Sequence, residues 1–556
     1  NVVEDNIVNG KPLVYLEDVA DYRVGDAGQV ILVNCTGIRV ENLNLSRTDV
    51  GLQLWKTSNS IISGNSITEN KEYGIRLDSS SNNTISGNNI TENDSCGIRL
   101  YNSSNNTISG NNITENNHNG ISLSHSPNNI VSGNNITENS GSGIWLYNSS
   151  NNTIVGNNIA ANNYDGIVLD SSSNNNIISG NTFIDDGLLV CGSYRNVVED
   201  NIVNGKPLVY LEDVADYRVG NAGQVILVNC TSIRVENLNL SRTDVGLQLW
   251  KTNNTIIMGN NIASNNGDGI RLSSSSNNSI VRNNIAANNY GGIVLDHSSN
   301  NSIVRNNIAS NRDGILLSDS SNNAISGNNI ENNDCGIWLF SSSNNIIFHN
   351  NFINNTEQVR ARASTNFWDD GYPSGGNYWS NYNGTDMYSG PYQNETGSDG
   401  IGDAPYIIDE NNVDRYPLMG PFNSFNTSIG HSVDVISNST IGDFRYFESN
   451  TTIIMHVFNM TTNQTIGFCR LTIPHEVIYP PYTVKVNDTI VEYETIYENY
   501  TEGISIIYFA YEHSKLEITI IPEFPTAIIL PLFMVLNLVA FVFRKKRGMK
   551  NQKCGG

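Results

Sequence analysis

Residues 82–104 read NNTISGNNITENDSCGIRLYNSS, and residues 105–127 read NNTISGNNITENNHNGISLSHSP. The equivalent apolar positions continue on both sides: Ile62, Ile85, Ile108, Val131, Ile154 and Ile178, then Ile257, Ile280, Ile303, Ile325 and Ile347, at steps of 22 to 24 residues. Within a unit Ile98 and Leu100 alternate with Arg99 and Tyr101, the period of two that marks a strand. A unit of about 23 residues with two or three short strands cannot bury its own apolar face, so it must stack on its neighbours. The spacing therefore predicts an all-β chain built around a parallel β-helix. Roughly 15 coils at about 4.8 Å each would make a rod on the order of 70 Å long. Leucine-rich repeats share the period but need several Leu per unit, which are absent here.

Asn makes up roughly a sixth of the 556 residues, and Gly is abundant (47) while Pro is scarce (14). Such polarity usually reads as disorder, but a disordered chain lacks evenly spaced Ile, Val and Leu. Asn tolerates a left-handed backbone and bonds locally, so it suits tight corners whose stacked copies can bond along the rod. One predicted ladder is Asn65, Asn88, Asn111, Asn134, Asn157 and Asn181, continued by Asn260, Asn283, Asn306, Asn328 and Asn350. Gly74, Gly97, Gly120, Gly143 and Gly166 mark a second corner.

The 31 basic and 54 acidic side chains give a net charge of −23. Six cations, Arg544, Lys545, Lys546, Arg547, Lys550 and Lys553, crowd the C-terminus, leaving 25 basic against 54 acidic groups before them, a balance of −29. That argues against nucleic acid as a partner.

A longer duplication overlies the short repeat. Residues 1–60 and 196–255 differ only at Asp26/Asn221, Gly37/Ser232, Ser58/Asn253 and Ser60/Thr255. The expected organisation is a first β-helix block at 1–195 and a second, continuous with it, at 196–357. Because Asn1 matches the interior position Asn196, the natural N-terminus is expected to lie further upstream. Residues 358–422 are rich in Trp, Tyr, Gly and Asp and read as a cap and linker over the open end of the solenoid. Residues 423–521 hold short alternating runs that suggest a small antiparallel β-sandwich. In 522–556, Pro522-Glu523-Phe524-Pro525 precedes 17 uncharged residues, Ala527 to Phe543, just long enough to cross a bilayer as a transmembrane helix, although Pro531 would kink it. The basic end would be cytoplasmic and the rest outside.

The 22- to 24-residue coils, the NGKPLVYLE insertion and the NFWDDGYPSGGNYWSNY and GSDGIGDAPY segments resemble the NosD-like (CASH) right-handed β-helices of archaeal cell-surface proteins. The tail resembles a PEF-CTERM sorting signal, which implies processing by an archaeosortase; the alternative is a permanent membrane anchor. The resemblance implies an external location and leaves the activity open. Its association with copper prompts a search for clustered ligands. The eight His (118, 125, 297, 349, 431, 456, 475 and 513) and seven Met show no such spacing, which speaks against copper, and no cofactor is required.

On the outward side of the GIxL strands, Asp78 beside Arg76 and Arg99 is catalytic in type, but no second carboxylate stands one coil away, so polysaccharide lyase or hydrolase chemistry is the alternative reading. Trp55, Tyr101, Trp145, Tyr147, Trp250 and Trp338 should face outward as a platform for a polysaccharide or surface glycan. Asp386, Asp399 and Asp403 could hold calcium in the cap. Sequons such as Asn438 and Asn487 fit external glycosylation, and Cys35, Cys96, Cys230 and Cys335 should be core residues. The reading favoured is a non-enzymatic, surface-anchored glycan-binding or envelope-structural protein.

Overall fold

The structure, a computed structural model, describes residues 3–512, 515–523 and 539. Residues 3–370 form a parallel β-solenoid of about 15 turns. Each regular coil carries three short strands, and the stacking is in strict register: Ile85 pairs with Ile62 and Ile108, Ile90 with Ile67 and Ile113, Ile98 with Ile75 and Ile121. These inward side chains are fully buried, and each contributes roughly 1.5–3 kcal/mol relative to exposure.

Three asparagine ladders, not one, run along the first block. In the anticipated ladder the Asn88 N–H donates to Asn111 Oδ1 (3.0 Å), while Asn88 Nδ2 donates to Asn111 Oδ1 (2.9 Å) and to the Ile62 carbonyl (3.0 Å), so one side chain ties three coils. Asn70, Asn93, Asn116, Asn139 and Asn162 form a second ladder, and Asn83, Asn106, Asn129, Asn152 and Asn176 a third. The left-handed conformation belongs to the residue before each ladder asparagine, for example Gly87 (φ 62°), Glu92 (φ 56°) and Asn105 (φ 57°). This corrects the expected mechanism: ladder asparagines act through hydrogen bonds alone. Gly97 is needed for closeness, because a Cβ there would lie 2.7 Å from Ile113 Cγ2 and 2.9 Å from the Gly120 carbonyl oxygen.

The NGKPLVYLE insertion is a hairpin. Ile202–Val203 pairs antiparallel with Lys206–Glu212 around Asn204 (φ 49°) and Gly205 (φ 79°), both left-handed as a tight two-residue turn requires. Through this hairpin the sheet that contains Ile90 in the first block continues into the sheet that contains the GIxL strands of the second. The first block's own GIxL sheet stops at Leu188–Cys191, leaving a parallel edge without a further strand.

Side chains of the second block cover that edge. Gln224 accepts from Leu188 N and donates to its carbonyl (both 2.9 Å), and Gln248 does the same at Val190 (3.1 and 2.6 Å). Two glutamine amides thus stand in for a peptide strand. The duplication supplies an internal control: Gln224 and Gln248 are buried, whereas their twins Gln29 and Gln53 are half-exposed. Asp49 lies in solvent, 3.7 Å from Lys71, but its twin Asp244 is fully buried and accepts from Gly166 N (2.9 Å). Asp186 ends the second asparagine ladder, accepting from Asn162 Nδ2 at 2.8 Å. Burial, reinforced by neighbouring carboxylates, pushes Asp186 up to about 7 and Asp244 well above the usual carboxylate range.

After the last coil Trp379 stacks on Phe352 (4.2 Å), and buried Trp368 packs beside both. The Trp379 and Trp368 indole N–H groups donate to Asp414 and Asn412. These residues belong to the solenoid unit, while residues 371–378, 382–406 and 415–512 belong to a second unit. The second unit is built on two five-stranded antiparallel sheets, sharing a core that includes Val435, Leu471 and Phe509 from one sheet and Met455, Val484 and Ile518 from the other. The six described cysteines are free thiols; Cys35, Cys96, Cys230 and Cys335 are buried as expected. Pro522 ends the last strand; Phe524, Pro525 and the apolar run, except Val539, lie outside the described residues. Among the described residues no helix is long and apolar enough to cross a membrane.

Two stability predictions follow from these contacts. Asn111→Ala leaves buried donors and acceptors on both adjacent coils unpaired and should cost roughly 3 kcal/mol, whereas Asn89→Ala, at an exposed site, should stay within about 0.5 kcal/mol; urea unfolding midpoints distinguish them. At the junction the folded protein retains protons that the unfolded chain releases. That stabilisation is complete below about pH 4 and is lost as pH rises through about 7. The melting temperature of the wild type relative to Asp186→Asn should therefore fall between pH 5 and pH 8.

Candidate functional site

The outward positions of the first GIxL sheet form two columns. One runs Gln53, Arg76, Arg99, Ser122, Trp145, Val168; the other runs Trp55, Asp78, Tyr101, Ser124, Tyr147, Asp170. Strand alternation sends these residues outward because their neighbours Ile98, Leu100 and equivalents fill the core. Trp55 (45%) and Tyr101 (39%) are exposed, and Trp145 and Tyr147 are half-buried. His125 sits between Tyr101 and Tyr147, with ring centroids 5.9 and 5.6 Å away, and Trp145 lies 5.7 Å from Tyr147. Four rings from three successive coils thus form one strip. Sequence reasoning passed over His125; the signal was its position at the same left-handed corner as Asn102 and Asn148, just past the strand.

Asp78 is bound to Arg76 (2.8 Å), and Arg76 and Arg99 flank the Tyr73 ring, with Arg99 also donating to the Tyr73 hydroxyl. Its neighbours in the column are Trp55 and Tyr101, so no paired carboxylate is available for acid–base work. The remaining aromatics are partly covered. Trp250 is stacked by Tyr194 (5.4 Å) with Lys251 over the ring (4.8 Å), and Arg360 lies over Trp338 (5.3 Å).

A second concentration of chemistry lies at the block junction. A cleft of about 310 Å³ is lined by Tyr164 and Asp165 of the first block and by Asp268, Arg271, Tyr290 and Arg312 of the second, among others that include Asp313. Asp268 Oδ1 accepts from Gly291 N (2.9 Å) and Oδ2 lies 3.5 Å from Arg271; Asp313 lies 3.2 Å from Arg312, whose guanidinium covers the Tyr290 ring (4.9 Å). Burial raises Asp268 above the usual range and pushes Asp165 up to about 6, against the pull of Arg271. No single stretch of sequence signals this cleft, because its residues come from coils separated by the fold.

The three candidate calcium residues hold loop backbone instead. Asp386 accepts from Asp399 N (2.9 Å) and Gly400 N (2.8 Å), and Asp403 from Met387 N and Tyr388 N (both 3.0 Å), while fully buried Arg470 lies beside Asp399. Among the described residues no group of three or more His, Cys, Asp or Glu side chains could hold a metal ion. Burial pushes the Cys191, Cys335 and Cys469 thiols up to about 11, 12 and 11, so they remain protonated and are poor ligands. The described residues do not fit a copper site.

No curated protein matches the chain. Solved structures similar to it include a point mutant of the periplasmic alginate epimerase AlgG (13% identity, TM-score 0.25, covering 61% of this chain and 78% of that one). Others are the Azotobacter vinelandii mannuronan C-5 epimerase AlgE4 A-module (14%, 0.24, 59% and 90%) and the Dettilon tailspike protein (12%, 0.25, 88% and 87%). Residues 4–188 and 208–384, well over half of the sequence, match one family, and the chain therefore belongs to the family described as periplasmic copper-binding protein (NosD).

Proposed function

We propose that the solenoid is a carbohydrate-binding surface protein whose first-block face takes a polysaccharide chain along the rod, without chemistry on that face. The observation that carries this reading is the ring strip Tyr101, His125, Tyr147 and Trp145, which offers stacking surface at the spacing of successive coils. Arg76 and Arg99 border it, and their guanidinium donors suit hydroxyl or carboxylate groups of a sugar. The described residues do not fit copper, so no copper step enters the reading.

An outside location for the residues before the uncharged run is supported by the six cations crowded after it, and tethering by that run itself, Ala527 to Phe543. The PEF segment supports sorting and cleavage by an archaeosortase, with a permanent anchor as the alternative. Mass spectrometry of the mature C-terminus separates the two: loss of everything after Pro522 to Pro525 supports cleavage, and an intact basic tail contradicts it.

The binding claim is checked on a glycan array followed by calorimetry with the best polysaccharide. Tyr101→Ala and Trp145→Ala should each weaken binding about tenfold, equivalent to about 1.4 kcal/mol. Unchanged affinity in the double variant would contradict binding at the strip.

A further inference from the structure

We propose that residues 1–60 form a docking face for the open end of another β-helix block of the same repeat. The proposal is independent of the glycan-binding reading and rests on the duplication. Residues 196–255 already make such a joint, and the two copies differ only at Asp26/Asn221, Gly37/Ser232, Ser58/Asn253 and Ser60/Thr255. None of these differences falls on Gln224, Asp244 or Gln248, the side chains that bond to the end of the first block at Leu188, Gly166 and Val190. Their counterparts Gln29, Asp49 and Gln53 are the same residue types; Asp49 lies in solvent and both glutamines are half-exposed.

The face is already assembled in the geometry of the joint. In its hairpin Ile7 pairs with Pro12 and Val8 with Lys11, the register in which Ile202 pairs with Pro207 and Val203 with Lys206. Asn9 Nδ2 donates to the Ser46 and Arg47 carbonyls (2.8 and 3.0 Å), as Asn204 Nδ2 does to those of Ser241 and Arg242 (3.2 and 2.7 Å). Gln29 Nε2 donates to the Val50 carbonyl and Gln224 Nε2 to the Val245 carbonyl, both at 2.9 Å. Hairpin, coil and amide therefore need little rearrangement to receive a strand, which keeps the ordering cost of docking small. What the second copy has in addition is the occupant. Ile202 N donates to the Asn181 carbonyl (2.9 Å) and Asn204 N to the Phe183 carbonyl (3.0 Å), whereas strand Ile7–Val8 ends its sheet, with Ile7 72% exposed against 43% for Ile202. An edge strand of this kind is a template for another sheet.

The joint also defines the chemistry of the occupant. It is a β-helix end with an open GIxL-type strand, whose peptide groups at alternate residues exchange hydrogen bonds with Gln29 and Gln53. A neighbouring strand runs parallel to Ile7–Val8, as Thr182–Ile184 does to Ile202–Val203. Its corner is acidic: Asp185 pairs with Arg242 (2.6 Å), and the N-terminal face offers Arg47 at that position and Lys71 in place of Asn266, which donates to the Asp185 carbonyl (3.0 Å). Arg47 and Lys71 now meet Glu69 (2.9 Å) and Asp49 (3.7 Å) in solvent-exposed pairs, which cost little to exchange. A second copy of this chain does not supply the occupant, because its own Leu188–Cys191 edge is closed by Gln224 and Gln248.

The test extends the full chain by a second copy of residues 61–195 placed directly before Asn1, so that the added Arg195 precedes Asn1 as it precedes Asn196. Carbodiimide should label Asp49 at least about tenfold more slowly in the extended chain than in the unextended one, at a rate close to that of Asp244 in the same molecule. Gln29→Glu with Gln53→Glu exchanges two amide donors for carboxylates that face carbonyls, and should return Asp49 of the extended chain to the fast rate. Fast labelling of Asp49 in the extended chain without those substitutions, whether or not Asp244 stays protected, would overturn the proposal. A second variant needs no extension: Asn221→Asp, Ser232→Gly, Asn253→Ser and Thr255→Ser turn the second copy into the first within the full chain. Its Asp244 should be labelled as slowly as in the wild type, and an accessible Asp244 would show that the first sequence cannot close such an edge. Sedimentation of the unextended chain should show no self-association through this face; a dimer broken by Gln29→Glu would overturn the choice of occupant.

Discussion

A parallel strand cannot be left with an uncovered edge inside a protein, and most of this molecule follows from how it meets that constraint. Along the regular coils the next coil supplies the cover, and asparagine side chains extend the same accounting to the corners, where the peptide groups would otherwise be orphaned. Asn88 alone bonds to the coil before and the coil after it. Where the first block's GIxL sheet ends, no strand follows, and Gln224 and Gln248 take over the peptide positions at Leu188 and Val190. Closing that edge with side chains draws a chain segment from one block onto the outward face of the other. Buried carboxyls and a mixed-charge cleft are the result.

The functional surfaces therefore have different origins. The aromatic strip is a repeat product: whatever occupies an outward strand position returns one coil later, and Tyr101, Trp145 and Tyr147 need only their register to align. The junction cleft is a singular product of two blocks meeting. A binding surface can be lengthened by adding coils, whereas the cleft exists once in the described solenoid, at a junction whose carboxyls, inside the cleft and buried beyond its lining, leave water without a cation for each. Asp268 and Asp313 each have an arginine, but Asp186 and Asp244 retain an oxygen with no hydrogen-bond partner.

Much of the fold was legible because the solenoid repeats. The interval between Ile85 and Ile108 fixes strand pairing, inward residues and outward columns together, and the pairings of Asp78 with Trp55 and Tyr101 were readable from counting alone. The corner chemistry was read only in part. Glu92 in a left-handed conformation has no propensity signal, and its neighbour Asn93 carries the ladder. Trp250 looks identical to Trp55 in sequence, and only the packing of Tyr194 shows that its ring is covered. The junction was invisible for the same reason. Residues 1–60 and 196–255 are nearly one sequence, so no local rule can assign Asp49 to water and Asp244 to the interior.

That divergence of twins is also the most direct measure of the account. Carbodiimide labelling of carboxyl groups on the native chain, read in Glu-C peptides that the Ser58/Asn253 difference makes distinguishable, compares Asp49 with Asp244 in one experiment. The junction described here predicts ready labelling at Asp49 and labelling at least about tenfold slower at Asp244, a free-energy barrier of about 1.4 kcal/mol or more. Equal labelling of the two would contradict it.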